Sequence, residues 1–414
     1  MPTKTPNFRA MKRWPLLLVV TALIPSTVMA QTAEDPDRVL WRIRVENAKR
    51  LDQPEPDIAA IIKTRADIAK AGVKGVDPAT VQLEKGLSWA QLYFFAEKYA
   101  DSITAARRFL TSFPTAEEKF NAQLVILDSA QRQGDAKALV ATLGEIKPPT
   151  PGMAGHIAQM TGGELATTVA AKLGEKAGLD LLTKVEALVP FDKLTTGPEK
   201  IMGEQARLSL ATGRAELLHG AGKHAEAVAA LKAVREKLGE GSPVARLLDS
   251  KVTQAGLVGN VAPALTRERG YGDFAGLESL KGKVVLVDFT AHWWPHCKRG
   301  YPAIRKMYDE LKSKGLEVVS GTGYYGFFKS ERGITKDEEF AKLAEHVKEY
   351  NISWPLLVGP WSNTEAYGVL DVPHYVVLGR DGKVVSHTTG FSTDQYQRLR
   401  ATVEKALAPQ PASK

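Results

Sequence analysis

The only cysteine in this 414-residue chain, Cys297, is the residue with the widest range of possible chemistry. As a thiolate it could form a mixed disulfide or be oxidised to a sulfenic acid. Together with the imidazoles of His292, His296 and His374 it could also ligate copper(I) or zinc. The spacing of these four residues matches no closed ligand set, so we predict no metal and no cofactor.

Three interpretations of Cys297 stay open on the sequence. It could be a monothiol that forms mixed disulfides, part of a binding groove without a redox role, or a core residue, because free cysteine is among the most buried residue types. The last two interpretations agree that no redox turnover takes place. A single cysteine also excludes an internal disulfide, so packing alone has to stabilise the fold.

A glycine-rich segment, Gly321–Gly326, fits the G-x-G-x-x-G spacing of dinucleotide-binding loops and follows a strand-like run. Residues 327–333 do not open the helix whose amino terminus would bind a pyrophosphate. We therefore predict a tight loop instead of a nucleotide site. Its aromatic residues Tyr324, Tyr325 and Phe327 are expected to form walls of a groove.

The first thirty residues have the composition of a secretory signal. A basic leader without acidic residues precedes the apolar run Trp14–Ile24, and the small-residue pattern of a cleavage site ends at Ala30. The run is well short of the roughly 20 residues that a membrane-spanning helix needs. We predict that residues 1–30 are a cleaved signal peptide, that the mature chain has no transmembrane anchor, and that it is periplasmic or secreted.

Four positive charges lie in this predicted signal: Lys4, Arg9, Lys12 and Arg13. The formal net charge of +8 falls to +4 for residues 31–414 once these four are removed. The excess is small, and the basic residues are interleaved with acidic ones instead of forming a patch. We therefore predict no binding to nucleic acid.

Between residues 31 and 255 the chain carries helix signals and no run with the two-residue alternation of a strand. Asp35-Pro36 is typical of an N-cap followed by a first-turn proline, and Thr115–Glu118 of a capping box. Three glycines mark helix ends: Gly72, Gly134 and Gly222. We predict that residues 31–255 form an all-α domain.

Two segments of this domain, residues 89–114 and 215–231, have the order of small and large residues by which tetratricopeptide (TPR) units bring paired helices together. Their separation is not a multiple of the usual period of about 34 residues. We predict a degenerate TPR-like helical repeat, divided into two lobes at the proline-rich run 147–152. The domain either contacts another protein or is a scaffold without a partner. The sequence pattern fits both roles, because stacked helices bury their faces in either case.

From residue 256 the pattern changes to strands that alternate with helices. Three apolar runs are typical of strands: residues 283–289, 316–320 and 355–358. Thr335 and Ser392 begin capping motifs, and Asp381-Gly382 marks a hairpin turn. Strands that are apolar throughout predict an α/β sheet covered by helices on both faces, over residues 256–408. Residues 409–414 are expected to be a disordered tail.

Four motifs in this region resemble, in order, those of the thioredoxin fold: Val258–Pro263, Leu280–Phe289, Tyr367–Pro373 and the Asp381-Gly382 hairpin. Within that fold they are most similar to the exported TlpA-like or ResA-like thiol-disulfide oxidoreductases of the alkyl hydroperoxide reductase/thiol-specific antioxidant group. The resemblance implies a C-terminal α/β thioredoxin fold with a cis peptide bond before Pro373. The family site reads Trp-Ala-x-Trp-Cys-x-x-Cys, and Pro302 fixes the register in which residues 290–297 fill it.

In that register Trp294 takes the place of the family's nucleophilic first cysteine, and Cys297 that of the second, which resolves the mixed disulfide. The resemblance also implies that Asp288 relays a proton to the resolving thiol, and that Val372-Pro373 pairs with an extended substrate backbone. The predicted catalytic residues are therefore Cys297 and Asp288. The predicted substrate groove consists of Trp293, Trp294, Pro295, His296, Val372 and Pro373.

These residues predict an exported thioredoxin-like oxidoreductase homologue of the TlpA family that is weak or inactive as a reductase, because an indole cannot attack a disulfide. The alternative is a non-catalytic periplasmic protein-binding or scaffolding module that uses the cis-proline groove and the helical repeats. Either function implies a protein or peptide partner, with or without a thiol. We expect most tryptophans of the domain to be core residues, but Trp294 to be exposed at the mouth of the groove.

Overall fold

The computed structural model describes residues 33–52, 58–239 and 241–408. The predicted signal peptide, residues 1–30, and the predicted tail, residues 409–414, lie outside them. Within the described residues, no helix is both long and apolar enough to cross a membrane.

The regular structure described between Pro36 and Leu257 is entirely helical, as predicted. The α-helices are α1 (Pro36–Leu51), α2 (Ile58–Gly72), α3 (Gly86–Phe95), α4 (Tyr99–Leu110), α5 (Ala116–Gln133), α6 (Ala136–Glu145), α7 (Pro151–Met160), α8 (Ala166–Leu173), α9 (Glu175–Glu186), α10 (Gly197–Gly220), α11 (His224–Arg235) and α12 (Ala245–Leu257). A 3₁₀ turn, Leu83–Lys85, precedes α3, and a π-helical turn, Thr161–Leu165, joins α7 to α8.

Predicted capping residues begin and end two of these helices. The Asp35 carboxylate accepts the backbone N–H of Asp37 at the start of α1. Thr115 and Glu118 form the predicted capping box of α5. Gly134 follows α5 with a φ of 65°, a left-handed conformation that glycine adopts at little cost. Local sequence therefore sets the ends of these helices.

One hydrophobic core runs through α1 to α10 and crosses the proline-rich run 147–152 without a break. Ile146 before the run and Ile157 after it are buried in the same cluster. The predicted division into two lobes is therefore wrong. The run instead begins a helix, because Thr150 caps α7 and Pro151 takes its first position. A second core lies further along the chain, between α10, α11 and α12.

The two segments with TPR-like spacing each form a pair of helices in contact, α3 with α4 and α10 with α11. The small and large residues of the pattern are buried: Trp89, Leu92, Ala105 and Phe109 in the first pair, and Ala215, Leu218, Ala227 and Leu231 in the second. The small side chains of the pattern therefore lie where the paired helices meet.

The carboxy-terminal part contains a mixed sheet and four further α-helices. The strands are β1 (Arg269–Tyr271), β2 (Val284–Phe289), β3 (Leu316–Thr322), β4 (Phe327–Phe328), β5 (Glu331–Arg332), β6 (Leu356–Val358), β7 (His374–Leu378) and β8 (Val384–Thr389). The helices are α13 (Pro295–Leu311), α14 (Lys336–Glu349), α15 (Ser362–Ala366) and α16 (Thr393–Leu407).

The main sheet has the order β1-β6-β3-β2-β7-β8, with β2, β3 and β6 parallel and the other pairings antiparallel. The strands β4 and β5 form a separate short hairpin. Because β2 lies between β3 and β7, the residues that follow it emerge near the centre of one sheet edge.

Alternate residues of β2 pack into two different cores, as the pleat of a strand requires. Val284 and Leu286 face α13, α14 and α16. Val285 and Val287 face a second core that contains Tyr367 and apolar residues between 257 and 280. Helices were predicted on both faces of the sheet. The second face is instead covered mainly by a long loop with a single 3₁₀ turn, because the apolar residues of that loop lie at isolated bridges and turns.

Helix α12 connects the two parts of the molecule through one buried backbone carbonyl. Ser250 Oγ and Gln254 Nε2 both donate to the carbonyl oxygen of Gly368, each at 2.6 Å. Gly368 has a φ of 63°, and an added Cβ atom would lie 2.8 Å from the Ser250 carbonyl oxygen. Only glycine fits this contact, which therefore fixes α12 beside the loop that follows α15.

The closest approach of two helices in the amino-terminal part predicts a stability difference. A Cβ atom added at Gly162 would lie 2.3 Å from the backbone of Ser209 in α10, whereas one added at Gly163 meets nothing within 4 Å. We expect Gly162→Ala to lower the free energy of unfolding by about 1–3 kcal/mol, because packed backbones cannot give way. Gly163→Ala is the matched control and should change it by less than about 1 kcal/mol. Chemical denaturation measures both, and equal stabilities would contradict the packing described.

Candidate functional site

The site lies where β2 ends and α13 begins. The helix starts at Pro295, whose fixed φ suits the first helical position, and Pro302 lies inside it. Trp294 occupies the N-cap position in an extended conformation, with φ −83° and ψ 122°, and its side chain makes no capping hydrogen bond.

Cys297 lies in the first turn of α13 and is only 1% exposed. Burial raises the pKa of its thiol to about 12, and the charge of Asp288 acts in the same direction. Such a pKa leaves roughly one molecule in 10⁵ as thiolate at neutral pH. The sulfur is therefore a neutral, enclosed thiol.

Asp288 is buried in the same region, at 2% exposure. Its Oδ2 accepts a hydrogen bond from Ser320 Oγ at 2.9 Å. Ser320 Oγ in turn accepts a hydrogen bond from Trp354 Nε1 at 2.8 Å. Among the described residues, its Oδ1 has no hydrogen-bond partner. Burial raises the pKa of Asp288 to about 7, against the opposing effect of Ser320. This carboxyl can therefore take up or release a proton near neutral pH.

Aromatic side chains form the surface above this buried pair. Trp293 and Trp294 are each 37% exposed and meet edge to face, with ring centroids 5.3 Å apart. Tyr325 links Trp293 to Trp361, at centroid distances of 5.6 and 5.3 Å. Most tryptophans of the domain were expected in the core, but of these only Trp354 is buried. The exposed indole of Trp294 agrees with its predicted place at a groove.

A groove of about 880 Å³ runs past these aromatic residues. One wall comes from α12: Arg246, Asp249, Ser250 and Thr253. The other walls include Trp293, Trp294, Tyr325, Trp361, Glu365, Leu370, Asp371 and Val372. The helical part of the chain thus contributes directly to the groove, which sequence reasoning did not predict because it depends on how α12 docks.

The peptide bond between Val372 and Pro373 is cis, as the resemblance implies. Val372 lines the groove, while Pro373 is buried behind it. In the part of the chain that the structure describes, no hydrogen bond is made by the backbone N–H or C=O of Val372. Pro295 and His296 are exposed on the outer side of α13 and do not line the groove. His296 stacks on Trp294 and contacts Arg299 at 2.8 Å.

A buried carboxylate that the sequence did not single out supports the loop of the groove. Glu339 is fully buried and accepts hydrogen bonds from the backbone N–H groups of Tyr325 at 2.9 Å and Gly326 at 2.8 Å. It also accepts one from His292 Nε2 at 3.2 Å. Burial lowers the pKa of His292, so that this ring is a neutral donor. The only signal for Glu339 in the sequence was its position next to Glu338, the glutamate of a capping box.

Two of the predicted groove walls lie elsewhere. Tyr324 packs against the core of Phe328 and Leu343, because it alternates in direction with Tyr325. Phe327 lines a smaller, separate cavity. The tight loop itself is confirmed, since Gly326 has a φ of 72° and β4 follows instead of a helix.

The histidines considered as metal ligands with Cys297 do not converge on it. His292 pairs with Glu339, and His374 contacts Thr389 at 2.8 Å and His387 at 3.0 Å. Over residues 33–52, 58–239 and 241–408, no group of three or more histidine, cysteine or carboxylate side chains could hold a metal ion.

Known proteins resemble the carboxy-terminal part of this chain. The family described as Redoxin matches residues 257–407. Thiol-disulfide oxidoreductase ResA of Halalkalibacterium halodurans is 26% identical over 125 residues, which are 30% of this chain and 64% of that protein. ResA of Bacillus subtilis is 27% identical over 137 residues, 33% of this chain and 69% of that protein.

Among solved structures, the thioredoxin domain of a thiol-disulfide oxidoreductase from Bacteroides vulgatus has 23% identity and a TM-score of 0.29, covering 35% of this chain and 97% of that one. The chain spans just under two thirds of the Halalkalibacterium protein. The family match and the sheet described above identify residues 257–407 as a redoxin-type domain with a thioredoxin fold.

Proposed function

We propose that this protein is an exported, thioredoxin-like member of the TlpA group that binds extended protein segments and is inactive, or very weak, as a thiol-disulfide oxidoreductase. One observation carries the proposal. At the start of α13 an indole, Trp294, meets solvent in the groove, while the only thiol, that of Cys297, is enclosed and un-ionised.

Disulfide exchange needs a thiolate that reaches the substrate sulfur and a second thiol that releases it. Trp294 supplies neither group, and Cys297 would have to leave the core to supply one. Asp288, with its raised pKa, is the acid that the family resemblance implies for the resolving step. In this chain it has no mixed disulfide to act on, so we assign it no turnover role.

The groove supports an extended polypeptide as its occupant. Among the described residues, the backbone N–H and C=O of Val372 have no partner beside the cis peptide bond, and such groups can add a strand-like segment by main-chain hydrogen bonds. Exposed indoles supply apolar contact along the same path. Three carboxylates, Asp249, Glu365 and Asp371, line the groove with one arginine, Arg246. Asp249 is paired with Arg235 at 2.7 Å, so the excess of negative charge comes from Glu365 and Asp371. This balance favours apolar segments flanked by cationic residues.

The helical part is proposed to add a second contact surface. We assign residues 31–255 to a TPR-like domain and residues 256–408 to the thioredoxin-like domain, with the helix pairs α3–α4 and α10–α11 as degenerate repeat units. The signal-like residues 1–30 support a periplasmic or secreted location. The protein would then retain a partner chain in that compartment, as a binding or scaffolding module.

Insulin reduction by dithiothreitol tests the missing nucleophile. We expect the wild type and Cys297→Ser to give no turnover above the background rate, because neither has an accessible thiolate. Trp294→Cys restores a Cys-Pro-His-Cys sequence and should increase the rate at least tenfold. Wild-type turnover that Cys297→Ser abolishes would instead establish a monothiol enzyme and contradict the proposal.

Binding to an unfolded chain tests the groove. Ribonuclease A with reduced and carbamidomethylated cysteines is a suitable probe, because it is basic, stays unfolded and has no thiol. We expect Trp294→Ser to weaken its binding at least tenfold in fluorescence anisotropy, since buried aromatic anchors commonly contribute about 2 kcal/mol or more. The matched control is Trp41→Ser, which removes an indole that is 66% exposed on α1. Equal losses in the two variants would contradict a role for the groove.

The buried carboxyl of Asp288 predicts a pH dependence of stability. Its folded pKa of about 7 exceeds the value of about 4 expected in the unfolded chain. A carboxyl with a raised folded pKa contributes its full stability below the unfolded pKa and loses it as the pH rises through the folded pKa. Between about pH 4 and 7 the free energy of unfolding of the wild type should therefore fall by roughly 3–4 kcal/mol relative to Asp288→Asn.

Asparagine is the matched comparison, because it keeps the shape of Asp288 and can accept the Ser320 hydrogen bond but does not titrate. The histidines are common to both proteins, so their contributions cancel. Urea denaturation at several pH values gives the two curves. Curves that stay parallel over this range would show that Asp288 is ionised in the folded protein and would contradict its burial.

A further inference from the structure

A second cavity, of about 300 Å³, shares Trp293 with the groove but has no part in the function proposed above. Its deep end is formed by His292 and His346, both buried. Burial lowers the pKa of His292 and lowers that of His346 to about 3, so both rings are neutral at physiological pH. Phe327 and Phe328 form its sides. The interior of this cavity is therefore aromatic and uncharged.

Its rim carries three cations, Lys298, Lys329 and Arg332, against one carboxylate, Glu349. Lys329 is compensated, because its ammonium lies 3.5 Å from Glu345 and 3.6 Å from Glu349. The other two cations are not. Within the described residues the side chain of Lys298, which is half-buried on α13, has neither a hydrogen bond nor an ion pair.

Arg332 is similarly without an anionic partner among the described residues. Its guanidinium donates to two backbone carbonyls, those of Lys329 at 2.5 Å and Glu331 at 3.3 Å, and stacks over the Phe327 ring at 4.4 Å. An anion that lies between Lys298 and Arg332 would form charge-assisted hydrogen bonds with both cations, neither of which has a counter-charge among the described residues. The charge pattern thus points to a negatively charged ligand.

We propose that this cavity binds a small aromatic anion, with its ring against Trp293 and Phe327 and its carboxylate or phosphate on Lys298 and Arg332. The volume is at the lower end of the range for ligand pockets, about 300–1,000 Å³, and suits a molecule with one ring. Arginine is the residue best shaped for two parallel hydrogen bonds to either anionic group. This site has Trp293 in common with the polypeptide groove, but its cations do not line that groove.

Isothermal titration calorimetry with phenyl phosphate tests the proposal. We expect saturable binding that is at least tenfold tighter than that of inorganic phosphate, which lacks the ring, and of benzyl alcohol, which lacks the charge. Benzoate in place of phenyl phosphate distinguishes a carboxylate from a phosphate preference. Lys298→Gln and Arg332→Gln should each weaken phenyl phosphate binding at least tenfold.

The matched control is Lys306→Gln, which removes an exposed lysine of the same helix that does not line the cavity. It should leave the affinity unchanged, and circular dichroism checks that every variant is folded. Three results would each overturn the proposal: no binding of phenyl phosphate or benzoate, equal affinity for inorganic phosphate, or equal loss in Lys306→Gln and Lys298→Gln.

Discussion

Desolvation of Cys297 is the constraint on which the chemistry of the site depends. The positive end of the helix dipole, at the start of a helix, typically stabilises a thiolate by up to about 1 kcal/mol. Burial, with the nearby charge of Asp288, raises the thiol pKa to about 12, which corresponds to roughly 4 kcal/mol against ionisation. The larger effect decides the outcome, and the sulfur stays a neutral core atom. The solvent-facing position is filled by Trp294, whose indole offers apolar contact area but cannot attack a disulfide.

Two buried polar contacts hold the groove from opposite sides. The carbonyl of Gly368 accepts hydrogen bonds from two α12 side chains, and the Glu339 carboxylate accepts two from the backbone of the Tyr325 loop. Breaking either would leave buried polar groups unpaired, which costs about 1–3 kcal/mol for each group. The groove is therefore preformed, and its shape belongs to the whole chain, because α12 from the helical part supplies one wall.

The features that could be predicted from the sequence are those set by residues close together along the chain. The caps at Asp35 and Thr115, the apolar strand β2 and the register that places Trp294 at the start of α13 all follow from neighbouring residues. Features that depend on distant contacts were missed: Glu339 as the anchor of a loop, α12 as a wall, and the exposure of Trp361. The proline-rich run before α7 was misread for the same reason, since only the packed core shows that a helix start, and not a boundary, lies there.

The reactivity of the single thiol tests directly whether Cys297 is enclosed and un-ionised. In the folded protein at about pH 8, a solvent-exposed cysteine reacts with an aromatic disulfide reagent such as dithionitrobenzoate within seconds to minutes. We expect Cys297 to react only as fast as the protein unfolds, and one equivalent to react at once in guanidinium chloride. Rapid stoichiometric reaction of the folded protein would contradict it.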